Sequence, residues 1–457
     1  MDAFEMELMR RSPLAASVLE ISDFIFDERV LSSIWEGHRG RCYEDVLRFE
    51  DFLRLMREAL VHHGGSAHKL FVELERDESE PVDESNFYRK LARTPVKLSR
   101  ALLREGTVRL AELMPGGVDA ARLPGCFGDF EVIVGDGKKI KNAAKRLAPA
   151  RGFSGKLIGA KALVGMNVRS GMAVAMSDSL DGLTNDVPLV PELMGQLREL
   201  FPRPILSVWD RQFDDVRTLG HLCAREGDAF VVRMKQMHTF AVESAVNMTD
   251  ASGRPVRDEI GLLGKEKTAL RVRRVTLTRA GEEDVVVLTN LMDRPAFTAA
   301  DVLELYRRRW GIEQLFQQVT ETFSLDHLIG SRPRAVLLQF SYCLLLYNLV
   351  QLIKTYVAHD GRVLVSMVST LYLFQDIRRE LQAWAYHTDG ARPRRRRDAM
   401  QMRGRLDELL AGSWNPIGYL KASDKRPRPK RPPPIRLHGG HSSVQRVLEG
   451  RARALPA

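Results

Sequence analysis

A chain of 457 residues, 44% of them hydrophobic, is too long for one ordinary core and apolar enough to build two or three. Its 69 Lys and Arg exceed its 59 Asp and Glu, and the formal charge of +10 favours a polyanionic partner such as nucleic acid. Cys42, Cys126, Cys223 and Cys343 lie far apart, with no C-x-x-C pair and no clustered histidines, so neither a zinc module nor a disulfide scaffold is indicated and a reducing cytoplasm is the simplest home.

The N-terminus, M-D-A-F-E-M-E-L-M-R-R, lacks a basic start followed by an apolar run and does not read as a secretory signal. Residues 1–125 read as short helices. E-D-V-L-R-F-E-D-F-L-R-L-M-R-E-A-L spaces its apolar residues three and four apart, and N-F-Y-R-K-L-A-R-T-P-V-K-L-S-R-A-L-L-R-E-G adds basic residues to that spacing. The second segment suits a DNA-facing helical unit or an ordinary amphipathic helix.

After the turn L-P-G-C-F-G, the run F-E-V-I-V-G-D-G predicts a short strand stopping at Asp136, with glycine on both sides. A hairpin turning at Arg169 to Gly171 and a helix over P-E-L-M-G-Q-L-R-E-L-F follow. P-I-L-S-V-W-D-R-Q-F then predicts a second strand that stops at an aspartate, Asp210. From 228 to 292 the period is mostly two, with Arg and Lys alternating with apolar positions, which predicts a sheet with one basic face. Thr298-A-A-Asp301 is a near capping box that announces a helix. The apolar run from Val336, interrupted by Gln339, Asn348 and Gln351, reads as a buried helix rather than a membrane span. Basic, proline-rich runs at 391–398 and 425–434 read as mobile, with Arg394 to Arg397 adding nonspecific DNA affinity.

On a single helix through L-Y-R-R-R-W-G-I-E-Q-L-F-Q-Q-V-T, Tyr306, Arg309, Glu313 and Thr320 fall within a stripe about 60° wide, beside the apolar face. Glu313 could simply pair with Arg309 at i,i+4, worth a few tenths of a kcal/mol. Together with Asp136 and Asp210, however, it completes an oxygen-ligand set suited to Mg²⁺ and to phosphoryl transfer. G-F-S-G-K at 152–156 is neither a serine elbow nor a phosphate loop, no H-E-x-x-H occurs, and a carboxylate pair for a glycosidase fits so many nearby cations less well. Trp209 and Trp310 read as core residues.

The segments V-I-V-G-D-G-K, L-S-V-W-D-R-Q-F and Y-R-R-R-W-G-I-E-Q-L-F resemble the three catalytic blocks of bacterial insertion-sequence DDE transposases. The resemblance is to the group whose third block reads Tyr, two residues, Arg, three residues, Glu, six residues, Lys. Asp136 and Asp210 lie 74 residues apart, and Asp210 and Glu313 lie 103 apart. The resemblance implies an α/β fold with a ribonuclease-H-like core. It divides the chain into a helical DNA-binding region at 1–125, a first part of the core at 126–227, a β-rich insertion at 228–295, core completion with the Glu helix at 296–360, and a helical then basic region at 361–457. It implies Asp136, Asp210 and Glu313 as catalytic residues and as ligands of two Mg²⁺ ions, with Mn²⁺ as a substitute. It assigns end-phosphate contacts to Tyr306 and Arg309, with flanking DNA contacts from Lys138, Lys139, Lys141 and Arg211. The implied activity is nicking at element ends, hairpin formation and strand transfer into target DNA, by a homodimer in a synaptic complex, in a bacterial cytoplasm at the nucleoid and without a membrane. Thr320 stands where the group carries lysine, so one phosphate contact is lost or supplied from elsewhere. A non-cutting, end-binding derivative and another metal-dependent nuclease of the same fold remain as alternatives.

Overall fold

The apolar and alternating runs between residues 131 and 289 form one continuous nine-stranded sheet in this computed structural model. The structure describes the chain apart from residues 1–2, 43–45, 77–82, 116–121, 142–146, 154–156, 236–237, 266–268, 322–324, 326, 388–395, 421–441 and 451–457. The strands are β1 (Glu131–Ile140), β2 (Ala160–Asn167), β3 (Ala173–Ser179), β4 (Ile205–Trp209), β5 (Ala229–Arg233), β6 (Phe240–Thr249), β7 (Pro255–Leu263), β8 (Leu270–Leu277) and β9 (Val285–Thr289). Their spatial order is β3-β2-β1-β4-β5-β9-β8-β7-β6.

The first five strands form the part of the sheet in which the expected catalytic core lies. β1, β2 and β3 make an antiparallel meander, and β4 and β5 lie parallel to β1. The meander turns where Asn167 Oδ1 accepts the N–H groups of Arg169 and Ser170 and Gly171 adopts φ +70°. Strands β9, β8, β7 and β6 continue the same sheet antiparallel beyond β5, so the β-rich stretch extends the core sheet instead of forming a separate layer.

The expected basic face of that extension is corrected by the structure. Arg273 is fully buried, with Nη2 at 2.6 Å from Asp258 on β7, while Arg274 pairs with Glu259 and Arg271 with Glu243. Cross-strand carboxylates neutralise the arginines, and a buried pair of this kind tolerates no missing partner.

Among the described residues, seven helices precede the sheet: α1 (Ala3–Arg11), α2 (Pro13–Ile25), α3 (Glu28–His38), α4 (Phe49–Val61), α5 (Ala67–Arg76), α6 (Glu84–Arg93) and α7 (Val96–Glu112). α7 is spent on packing. It buries Leu98, Leu102 and Leu103, and its Arg100 pairs with Asp178 of β3 and with Glu192. α8 (Val190–Leu200) and α9 (Val216–Leu222) cover the sheet face that carries Ile133, Ile205 and Phe230.

The opposite face, with Val132, Val134, Leu206 and Val208, belongs to the core that holds the N-terminal helices and α12 (Pro333–Asp360). α12 is long and apolar enough to cross a bilayer, and its apolar window is wholly buried within the fold. Its polar interruptions are ties. Asn348 donates to Thr107 Oγ1 of α7 and to the Ala173 carbonyl, and accepts from the Ala173 N–H at 2.9 Å; Gln339 accepts from the Ile329 N–H at 2.8 Å. Buried amides are tolerated because their hydrogen bonds are made.

Before α12 come α10 (Ala299–Arg307) and α11 (Trp310–Glu321); after it come α13 (Thr370–His387), α14 (Ala399–Leu410), α15 (Pro416–Tyr419) and α16 (Val444–Leu448). Thr298 and Asp301 close the capping box of α10. α13 and α14 pack back on α2, where Glu380 accepts the Ala15 N–H at 3.0 Å and Arg397 pairs with the buried Glu20. Arg397 is therefore held by the protein, and Arg396 lies 3.6 Å from Asp27. Arg394, Arg395 and the 425–434 run lie outside the described residues.

Candidate active site

Strand alternation brings the two aspartates together. β1 and β4 run parallel with Val134 opposite Val208, and Asp136 and Asp210 each stand two residues further along, on the face of those valines. Asp210 follows directly on β4 as expected, but β1 does not stop at Asp136; it runs on to Ile140, so Asp136 sits within the strand. The glycines beside it answer to sterics. A Cβ on Gly135 would lie 2.1 Å from the Trp209 ring, and one on Gly137 would lie 2.1 Å from Asp186 Oδ1. Trp209 is core, as its sequence reading has it.

Glu313 arrives from α11, which packs on β1. The single helix expected from Leu305 to Thr320 is broken. The N–H groups of Arg308, Arg309, Gly311 and Ile312 bond to carbonyls three residues back, a tightened turn that separates α10 from α11. The 100° projection therefore does not carry across, and Tyr306 lies in the last turn of α10 while Glu313 lies in the first turn of α11. Gly311 permits close approach to the sheet, since a Cβ there would come within 2.9 Å of the Met166 methyl. Trp310, expected in the core, is instead 60% exposed.

Arg309 is the hub. It is 7% exposed, with Nη1 at 2.6 Å from Glu313 Oε1 and its guanidinium 5.9 Å from the Tyr306 ring centre. Its Nε is buried without a hydrogen-bond partner. Burial disfavours the charge on Arg309, but Glu313, Tyr306 and Asp210 outweigh it and raise its pKa. Burial pushes Asp136 up to about 6; its bond from the Gly137 N–H and the charge of Arg309 oppose the rise, and Asp186 and Asp210 add to it. The phenol of Tyr306 is also raised by burial.

The remaining expected DNA contacts are scattered around this centre. Lys138 projects on the Asp136 side with Nζ 3.4 Å from the Phe316 carbonyl of α11, the same carbonyl that the Thr320 hydroxyl reaches at 2.7 Å. Burial lowers the Lys138 pKa. Lys139 and Lys141 are exposed. Arg211 follows Asp210 and lies 3.8 Å from Glu283. Sequence reading missed Asp186, Lys161 and Gln212, which meet behind Gly137; no local pattern marks residues joined only by folding.

Among the described residues, no three His, Cys, Asp or Glu side chains gather tightly enough to enclose an ion, Glu313 being drawn onto Arg309. The donor chemistry nevertheless fits a hard divalent cation: Asp136 and Asp210 are neighbouring carboxylates, the charge of Asp210 adding to the rise at Asp136, with Glu313 one guanidinium away.

A Sinorhizobium fredii (strain NBRC 101917 / NGR234) protein named "Putative transposase y4zB" is 29% identical over 122 residues, which span 27% of this chain and about a third, 32%, of that relative. The cryo-EM structure of a piggyBac transposase synaptic complex with hairpin DNA aligns over 86% of this chain and 85% of that one, at 12% identity and a TM-score of 0.42, a likeness too distant to carry weight. Residues 118–349, just over half of the chain and the span that holds all three carboxylates, match the family described as "Transposase DDE domain", and the chain belongs to that family.

Proposed function

We propose that this protein is a DNA transposase that cuts at the ends of an insertion element and joins them to target DNA, with Asp136, Asp210 and Glu313 as its catalytic carboxylates. The observation that carries the reading is the convergence of Asp136, Asp210 and Glu313 on Arg309 within the family-matched span. Two Mg²⁺ ions held by these carboxylates, with Mn²⁺ as a substitute, would supply Lewis acidity at the phosphate and an acidified water or 3′-hydroxyl for in-line attack.

The chain's own groups then position the DNA. Arg309 offers a buried, unpartnered Nε to a phosphate oxygen while its Nη1 holds Glu313, a use of the guanidinium fork that an ammonium cannot copy. Tyr306 stacks beside it and limits its rotation. Lys138 supplies the ammonium that Thr320 lacks, since both side chains reach the Phe316 carbonyl. We read the third block as that of the Tyr-Arg-Glu-Lys group despite the departure at Thr320, with Lys138 on the strand taking the lysine's place. Lys139, Lys141 and Arg211 flank the site and contact the backbone without reading sequence. The helical region before residue 125 is the candidate reader of the terminal repeats, and two ends require a dimeric complex.

The test is incubation of the purified protein with labelled DNA carrying its own element's ends, with Mg²⁺ or EDTA, beside Glu313→Gln. Metal-dependent nicking absent from the variant supports the reading. End binding without cleavage under any metal would leave a non-cutting derivative; nicking without strand joining would leave a nuclease.

A further inference from the structure

We propose that Asp186 is a positioning residue: from behind the sheet it clasps the chain segments that carry Asp136 and Asp210 and fixes where the two aspartates stand. The inference rests on the reading of those aspartates as metal ligands.

Asp186 lies between β3 and α8 and is 5% exposed. Its Oδ1 is 2.6 Å from Nζ of Lys161, a β2 residue that is itself 4% exposed. Its Oδ2 accepts a hydrogen bond of 2.9 Å from Gln212 Nε2. Its carboxyl also occupies the space above Gly137 where a Cβ would stand. These three contacts fall on three different segments. Gly137 follows Asp136, whose own Oδ1 accepts the Gly137 N–H at 2.8 Å. Gln212 lies in the short turn Arg211–Phe213 that Asp210 begins. Lys161 stands opposite Lys139 in the β1–β2 ladder.

Alternation gives the direction. Asp136 and Asp210 share the face of Val134 and Val208, whereas Gly137, Lys139 and their cross-strand neighbour Lys161 share the other. Asp186 thus works from the reverse side, through backbone and turn, and touches no reacting atom. Lys161 neutralises it, so its contribution is orientation more than negative potential. A buried ion pair is not an efficient way to gain stability, because an apolar pair of similar volume usually does as well. Its placement across the two aspartate-bearing segments gives it another use, since outer partners of metal-binding carboxylates set the geometry on which affinity depends.

The experiment uses the full chain without DNA. Wild type, Asp136→Asn, Asp186→Asn and Gln212→Leu are titrated with Mn²⁺ by calorimetry, and each is melted in EDTA. Asp186→Asn is expected to weaken Mn²⁺ binding about 10- to 100-fold, the range for loss of an outer partner, and Gln212→Leu by a smaller factor in the same direction. Gln212→Leu leaves the ion pair intact and is expected to lower the melting temperature less than Asp186→Asn, so it decides the matter if Asp186→Asn does not fold. Unchanged Mn²⁺ affinity in a folded Gln212→Leu and in any folded Asp186→Asn overturns the clasp alone. A wild type that takes up no Mn²⁺, or an Asp136→Asn that binds it normally, overturns the underlying reading and the clasp with it.

Discussion

Arg309 and Glu313, four residues apart at the start of α11, form a 2.6 Å ion pair in which the arginine is almost entirely buried. A surface pair at this spacing is worth only tenths of a kcal/mol, but here the guanidinium also feels Asp210 and keeps one donor unspent. Arg309→Lys preserves the charge and loses the fork. It is expected to reduce end nicking about 100-fold, as for loss of a preorganised donor, with a smaller loss in end binding. Gel-resolved nicking rates beside binding isotherms check this, and equal losses in both would assign Arg309 to binding alone.

The raised pKa of Asp136 has a consequence for stability. Its folded value of about 6 lies above the ordinary 3.8, so between them the folded form holds a proton that the unfolded form has released. Stability from this group is full below 3.8 and is lost as pH rises through about 6. At pH 8 in EDTA, Asp136→Asn is expected to be more stable than wild type by about 1–3 kcal/mol, and the gain should vanish towards pH 4. Denaturant unfolding at both pH values measures it.

Lys138 tests the exchange of a helix lysine for a strand lysine. Lys138→Met is expected to weaken binding to end DNA and to lower the slope of log K against log salt by about 0.9, the value of one phosphate contact. Adding Thr320→Lys should return both. A Lys138→Met slope equal to wild type would place that ammonium off the DNA.

Gly135 and Trp209 are locked together by the missing Cβ. Gly135→Ala drives a methyl into the indole and is expected to cost about 1–3 kcal/mol or more, the usual range for overpacking. With Trp209→Leu the double variant should be less destabilised than the two singles added, a coupling that a thermal-melt cycle reads directly.

Arg273→Ala removes the buried partner of Asp258 in the sheet extension and leaves it only Arg294, 3.2 Å away. The expected loss is about 3–5 kcal/mol in denaturant unfolding, as for other broken buried pairs.

Much of this site is legible in the sequence because strands obey a period of two. Val134 and Val208 announce which way Asp136 and Asp210 face, and the flanking glycines announce a crowded backbone. The α-helical period was a poorer guide through Arg308 and Arg309, where bonds to the third residue back bend the chain without any proline to mark it. Alternating arginines at 271–274 read as a basic surface because their carboxylate partners, Glu243, Asp258 and Glu259, lie on neighbouring strands. Asp186 was invisible for the same reason: Lys161 and Gln212 lie about 25 residues to either side of it. The α/β character, the order of the three carboxylates, the capping box at Thr298 and the buried apolar helix needed no third dimension.

The return of α13 and α14 onto α2 sets an order of events during synthesis. Part of the cover over the apolar side of α2, and Glu380 that caps its amino end, are made more than 350 residues after α2 itself. A nascent chain can build the sheet while α2 stays partly uncovered, and a product cut short before residue 370 never covers it. Translation of the segment beyond residue 370 thus completes a helix made long before it.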